Sequence, residues 1–194
     1  MKRRSIEIAL LSIFAIIPTV LGYILGPLTH QVNRLFAIIT IPGLSTPGIP
    51  GTLHLGFSPL VTVTILARSY LGRGGALKES VLLAITGVIF HPGEPAIIRV
   101  LKDILLGLGV EITYLFSKSK NVATGEVLVA SFVGGLLSYL PYLLFTPFSL
   151  YLLPIFYVSL LILMNGYLIS CLIGGVFASI ILKRVPSISK LVTG

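Results

Sequence analysis

The chain has no tryptophan, a single cysteine and only six acidic residues among its 194, and each scarcity closes off a class of protein. Cys171 alone permits neither an intrachain disulfide nor a thiolate metal cluster, and its position inside an apolar run assigns it to packing. Charged residues make up 10% of the chain against 55% hydrophobic ones, and the mean hydropathy is +1.04. A water-soluble fold of that composition would lack the polar surface to cover itself. Enzyme signatures are missing as well: there is no His-Glu-x-x-His zinc helix, no Gly-x-Ser-x-Gly elbow and no phosphate-cradling Gly-x-x-x-x-Gly-Lys-Ser/Thr loop. No metal and no cofactor are expected, and any ATP hydrolysis would fall to a separate subunit.

What is present is a pattern of cations. Lys2, Arg3 and Arg4 precede the first apolar run, Arg68, Arg73 and Lys78 lie between the second and third, Lys118 and Lys120 between the fourth and fifth, and Lys183, Arg184 and Lys190 after the last. The intervening turns hold Arg34 as their only cation. That alternation is what the positive-inside rule imposes on a chain threading a bilayer several times, and it predicts a multi-pass protein of the cell membrane with both termini in the cytoplasm. The net charge of +8 is then explained by anionic lipid headgroups rather than by nucleic acid. The opening stretch resembles a signal peptide, but it runs to Gly26 without a small-x-small cleavage site, which predicts a retained first helix.

A hydrocarbon core of ~30 Å takes about 20 helical residues, and six runs approach that length. The expected fold is an all-α integral membrane protein, a single domain of six transmembrane helices at about 6–27, 53–70, 76–90, 95–116, 124–145 and 155–182. The stretch 28–52 is long for a connection and is dense in glycine and proline from Pro42 to Gly51, so it reads as a partly structured outer lid, with a passive interfacial loop as the alternative. Small residues four apart (Gly22 and Gly26, Ser131 and Gly135, Ser170, Gly174 and Ala178) supply faces for close helix approach. No internal repeat is visible.

Ionisable groups in hydrocarbon are expensive and usually face a partner or an aqueous cavity. The segment before helix 4 holds His91, Glu94 and Pro95, and the helix itself carries Arg99, Lys102 and Asp103 in its first turns and Glu111 deeper. Arg99 and Asp103 are four apart and can pair along the helix. Helix 6 adds Asn165 and Tyr167, and the outer end of helix 5 adds Tyr139 and Tyr142. Carboxylate, guanidinium, amide and phenol therefore converge in the outer half, as binding of a small polar ligand requires. His30, His54 and His91 map to the same side, without the regular spacing of a metal site. On the inner side, Arg68, Arg73, Lys78, Glu79, Glu111 and Glu126 read as solvated flanking charges, with pairing across helix ends or contact with a cytoplasmic or membrane partner as the alternatives.

The segment Lys102 to Tyr114, KDILLGLGVEITY, is a Gly-rich helix ending in an acidic residue. With the size, span count, cytoplasmic termini and long first loop, it resembles the substrate-binding (S) components of energy-coupling-factor vitamin transporters, nearest the branch linked to thiamine and hydroxymethylpyrimidine. The resemblance implies a high-affinity capture subunit that takes a vitamin or its precursor from outside under a loop gate. It also implies association with a transmembrane coupling protein and ATPase subunits, and no catalysis by this chain. Family pockets draw on the first loop and on helices 4 to 6, which by position implicates His30, Glu94, Arg99, Asp103, Tyr139, Asn165 and Tyr167 in substrate binding. Where the family's coupling face carries alanines four apart, this chain has Ala9, Ser12 and Ala15. The nickel and cobalt branch places a histidine after the initiator methionine, and here that residue is Lys2. Two other classes remain open: a membrane enzyme acting on a lipid or prenyl substrate through His91, Glu94 and Asp103, and a structural subunit of a membrane complex.

Overall fold

The computed structural model describes residues 2–40, 57–90, 95–116, 124–145 and 154–185, with the backbone alone for parts of the first and last ranges, His30 and Asn165 included. These residues form six helices and no strand: α1 Lys2–Thr40, α2 Ser58–Leu71, α3 Gly75–Phe90, α4 Ala96–Phe116, α5 Thr124–Leu144 and α6 Pro154–Arg184. From α3 to α6 the boundaries fall within a few residues of those expected from hydropathy. The first helix does not. It continues through Pro18 and Pro27 to Thr40, so 28–40 of the expected lid is helix, while 41–56 lie outside the described residues. An interior proline such as Pro27 removes only one hydrogen bond and kinks rather than ends a helix that continues to form on its far side. The sequence that follows, LTHQVNRLFAIIT, contains neither glycine nor proline.

The turn between α2 and α3 is built by glycine. Gly72, at φ 80°, closes α2 by donating its N–H to the Arg68 carbonyl at 3.1 Å, and Gly74 at φ 83° completes the reversal. Both positions lie in the left-handed region that a side chain disfavours.

The centre of the bundle is α2, which touches each of the other five helices. Val61, Thr64, Ile65 and Ala67 are all shut off from the surface. Its 14 residues fall short of the ~20 that a full hydrocarbon crossing takes, a length tolerable for a helix walled by others. Its hydroxyls lock it to α6: Ser58 Oγ donates to the Ser170 carbonyl and Thr62 Oγ1 to the Gly174 carbonyl, each at 2.9 Å. Such bonds hold helices together where burial of apolar surface cannot.

Around this axis the polarity is inverted. Glu79, Lys102, Asp103 and Glu111 are buried, while Ile8, Ile16 and Ile24 of α1, Ile85 and Ile89 of α3, Val129 of α5 and Phe177 of α6 are exposed. Large apolar side chains on the exterior, with charges buried within the core, fit lipid as the surrounding solvent. Three helical segments are long and apolar enough to cross a membrane by length and composition, Arg4–Gly22, Thr124–Leu144 and Gly166–Arg184, and on that basis the chain is a membrane protein.

The helices alternate in direction, so the bundle has two unlike ends. Contacts of Ala76 with Glu111 and of Gly87 with Arg99 run α3 against α4. Contacts of Gly135 with Cys171 and of Tyr139 with Tyr167 do the same for α5 and α6. The end holding the start of α1, the α2–α3 turn and the close of α6 gathers the exposed cations Arg4, Arg73, Lys78, Lys183 and Arg184, and is termed the basic end below.

Candidate functional site

Toward the opposite end, four rings and one ammonium group meet. Phe57 stands at the foot of α2, Tyr139 and Tyr142 face the same way from α5 at i,i+3 spacing, and Tyr167 comes from α6. Phe57 and Tyr167 lie 4.3 Å apart between centroids, Tyr139 and Tyr167 6.1 Å, Tyr139 and Tyr142 5.9 Å, and Tyr142 meets Tyr167 edge-on at 6.4 Å. These are the tilted and edge arrangements that aromatic quadrupoles favour. Lys102 of α4 sends its Nζ among them, 5.9 Å from the Tyr142 centroid and 6.0 Å from that of Phe57, at the range where a ring face attracts a cation. Tyr139, Tyr167 and Lys102 are each buried, and Asp103, the next residue on α4, is fully buried.

Arg99 extends the polar surface along α4. Its Nε lies 4.0 Å from Asp103 Oδ2, and its side chain rests on Gly87 of α3, where a Cβ would collide with it. The absence of a side chain at Gly87 is what lets a guanidinium lie between α3 and α4. Ammonium, guanidinium, carboxylate and phenols thus lie near one another toward this end of the bundle, groups whose chemistry can stack on a flat ring and donate and accept hydrogen bonds.

Of the residues expected from the sequence, Arg99, Asp103, Tyr139 and Tyr167 are brought together here. Glu94 lies outside the described residues, as do His54 and His91, and His30 on α1 and Asn165 on α6 are placed by backbone alone. Lys102, Tyr142 and Phe57 were not among the expected site residues. Lys102 carried a signal, being a cation two turns inside an apolar helix, and Tyr142 shares the Tyr139 face. Phe57 carried none, since one phenylalanine in an apolar chain is indistinguishable from core. Among the described residues no three His, Cys, Asp or Glu side chains gather to hold a metal ion.

Nearer the basic end lies a second polar cluster, where the expectation of solvated flanking charges fails for Arg68 and Glu111, though not for the exposed Arg73 and Lys78. Glu111 of α4 is buried, forms an ion pair with Arg68 of α2, whose Nε lies 2.9 Å from its Oε2, and accepts a hydrogen bond from the Ala76 backbone N–H of α3 at 2.9 Å. Arg68 also lies over the Tyr114 ring, 5.3 Å from its centroid. One carboxylate thus joins three helices and caps the start of α3. The pair Lys78 and Glu7 ties α3 to α1 nearer the surface. Pairing across helix ends describes Arg68 with Glu111 and Lys78 with Glu7, while Arg73 and Lys78 remain exposed as flanking charges.

Fold and site together define a helical membrane protein that encloses an aromatic site with buried charges. Comparison with family models, with curated proteins and with solved structures returns no match to the chain.

Proposed function

We propose that this chain captures a small, flat, polar molecule within the bilayer and serves as the substrate-binding subunit of an ATP-driven importer of a vitamin or vitamin precursor, of the thiamine or hydroxymethylpyrimidine type. The observation that carries the reading is the convergence of Phe57, Tyr139, Tyr142 and Tyr167 on Lys102, beside Asp103 and Arg99. Buried charges are costly inside a membrane bundle and mark functional sites by default. Stacking surfaces with a few placed polar groups are what a planar heterocycle needs. Transmembrane coupling and ATPase subunits would then supply the energy.

Orientation follows from the same reading. With the basic end in the cytoplasm, six crossings put both termini inside the cell and open the aromatic site to the exterior of the cell membrane. Cys171 is fully buried, so cysteines can be introduced one at a time without removing it. In intact cells a membrane-impermeant maleimide is expected to label Phe145→Cys and to spare Arg73→Cys until the membrane is permeabilised. The opposite pattern inverts the orientation and rejects capture from outside.

Binding is tested on the purified chain by isothermal titration with thiamine and with hydroxymethylpyrimidine, alongside native mass spectrometry for copurified small molecules. Lys102→Met and Tyr167→Ala are each expected to weaken binding at least tenfold, about 1.4 kcal/mol, with the helical circular dichroism retained. An isoprenoid carried through purification would favour the lipid enzyme instead. Unchanged affinity in both variants rejects the site.

A further inference from the structure

Glu79, in the second turn of α3, is fully buried, and neither of its carboxyl oxygens takes part in a hydrogen bond. Its neighbour Ser80 is equally buried with its Oγ unpartnered. Neither residue belongs to the aromatic site or to the Arg68 and Glu111 cluster. Among the described side chains, Arg4 of α1 is exposed and the other charged groups on the helices packed against α3 are engaged elsewhere. On α1, Glu7 pairs with Lys78. Arg68 of α2 and Glu111 of α4 pair with each other, Arg99 lies beside Asp103, and Lys102 lies over Phe57 and Tyr142. The phenol of Tyr70 on α2 donates to the Val185 carbonyl at 3.2 Å. The start of α3, whose dipole and free N–H groups would favour an anion, is already served by Glu111 through the Ala76 N–H.

A carboxylate at this fully buried point would have no counter-charge among the described side chains, whereas the neutral acid forgoes only its hydrogen bonds. We infer that Glu79 is a proton-binding site of the folded chain, holding its carboxyl as the neutral acid at neutral pH. A metal cation would need several more oxygen ligands than one carboxyl and one hydroxyl provide. Glu79 stands between the α3 start and Ser80, whose side chain lies against Gly107 of α4, so the proton sits close to the contact between α3 and α4.

Infrared difference spectroscopy of the full chain in liposomes, wild type against Glu79→Gln at neutral pH, tests the assignment without reference to any substrate. The expected result is a protonated-carboxyl C=O band in the wild type that is missing in the variant. A difference spectrum showing carboxylate bands instead, or no carboxyl difference at all, overturns it. Should the variant fail to fold, the wild type alone decides: dicyclohexylcarbodiimide, which attacks protonated carboxyls in apolar surroundings, is expected to leave an adduct on the peptide containing Glu79. Adducts confined to other carboxyl groups overturn the inference.

Discussion

Glu111→Ala is expected to cost about 3–5 kcal/mol of stability, read as a large fall in the thermal unfolding midpoint of the purified chain in detergent. The reason lies in what the substitution leaves behind. Arg68 is mostly buried, with a side chain 16% exposed, and its Nε meets Glu111 at 2.9 Å. Without the carboxylate a guanidinium would stay between α2 and α4 with no counter-charge, and the Ala76 N–H at the start of α3 would lose its acceptor. Glu111→Gln keeps an acceptor for that N–H but not the charge, so it should fall between alanine and wild type. The double variant Arg68→Met with Glu111→Leu should recover much of the loss, because an apolar pair of similar volume removes the desolvation problem altogether. If Glu111→Ala melts with the wild type, the pair is not buried as described.

The second large effect is expected at Gly109. A Cβ built there would lie 2.7 Å from Gly134 Cα and 2.9 Å from Gly134 N, and the obstacle is backbone, which cannot swing aside. This contact sits on the most extensive interface in the bundle, between α4 and α5. Gly109→Ala should therefore cost about 3 kcal/mol, the upper end of the usual range for overpacking. Gly109→Leu should prevent α4 and α5 from closing, and with them the aromatic site, since Lys102 lies on one helix and Tyr139 and Tyr142 on the other. Gly125→Ala is the control. Nothing lies within 4 Å of a Cβ at Gly125, so alanine there should be neutral or stabilising by roughly 0.5–1 kcal/mol through the helix preference alone. Equal melting of the Gly109 and Gly125 variants would mean that α4 and α5 are not in backbone contact.

The comparison of these two glycines shows where sequence reasoning runs out. Hydropathy placed α3 to α6 because a run of apolar residues of fixed length is a local property, and the small-residue spacing of α5 and α6 marked faces fit for close packing. Gly109 and Gly125 look alike in that text. Only the partner helix separates a glycine under contact from one in open space. The end of α1 failed for a related reason: proline and glycine mark where a helix can stop, while its continuation from Pro27 to Thr40 depends on the whole helix. At the site, Arg99, Asp103, Tyr139 and Tyr167 could be found because ionisable groups and phenols stand out against an apolar helix. Lys102 stood out equally, in the same helix 4 cluster as Arg99 and Asp103, but was not carried into the expected site, and Phe57 had nothing to distinguish it.

The order of apolar runs, the placing of cations between them and the scarcity of acidic residues determined by themselves that this is a helical membrane protein, because the cost of burying charge and unpaired backbone in hydrocarbon acts on each segment separately. Tertiary structure alone decided which charges are solvated and which are paired. Residues far apart in the chain, Arg68 with Glu111 and Lys102 with Phe57 and Tyr142, meet only when α2 is enclosed by its five neighbours, and Glu79 is left without a partner by the same closure. Burial and pairing are properties of the assembled bundle, and no local pattern of residues encodes them.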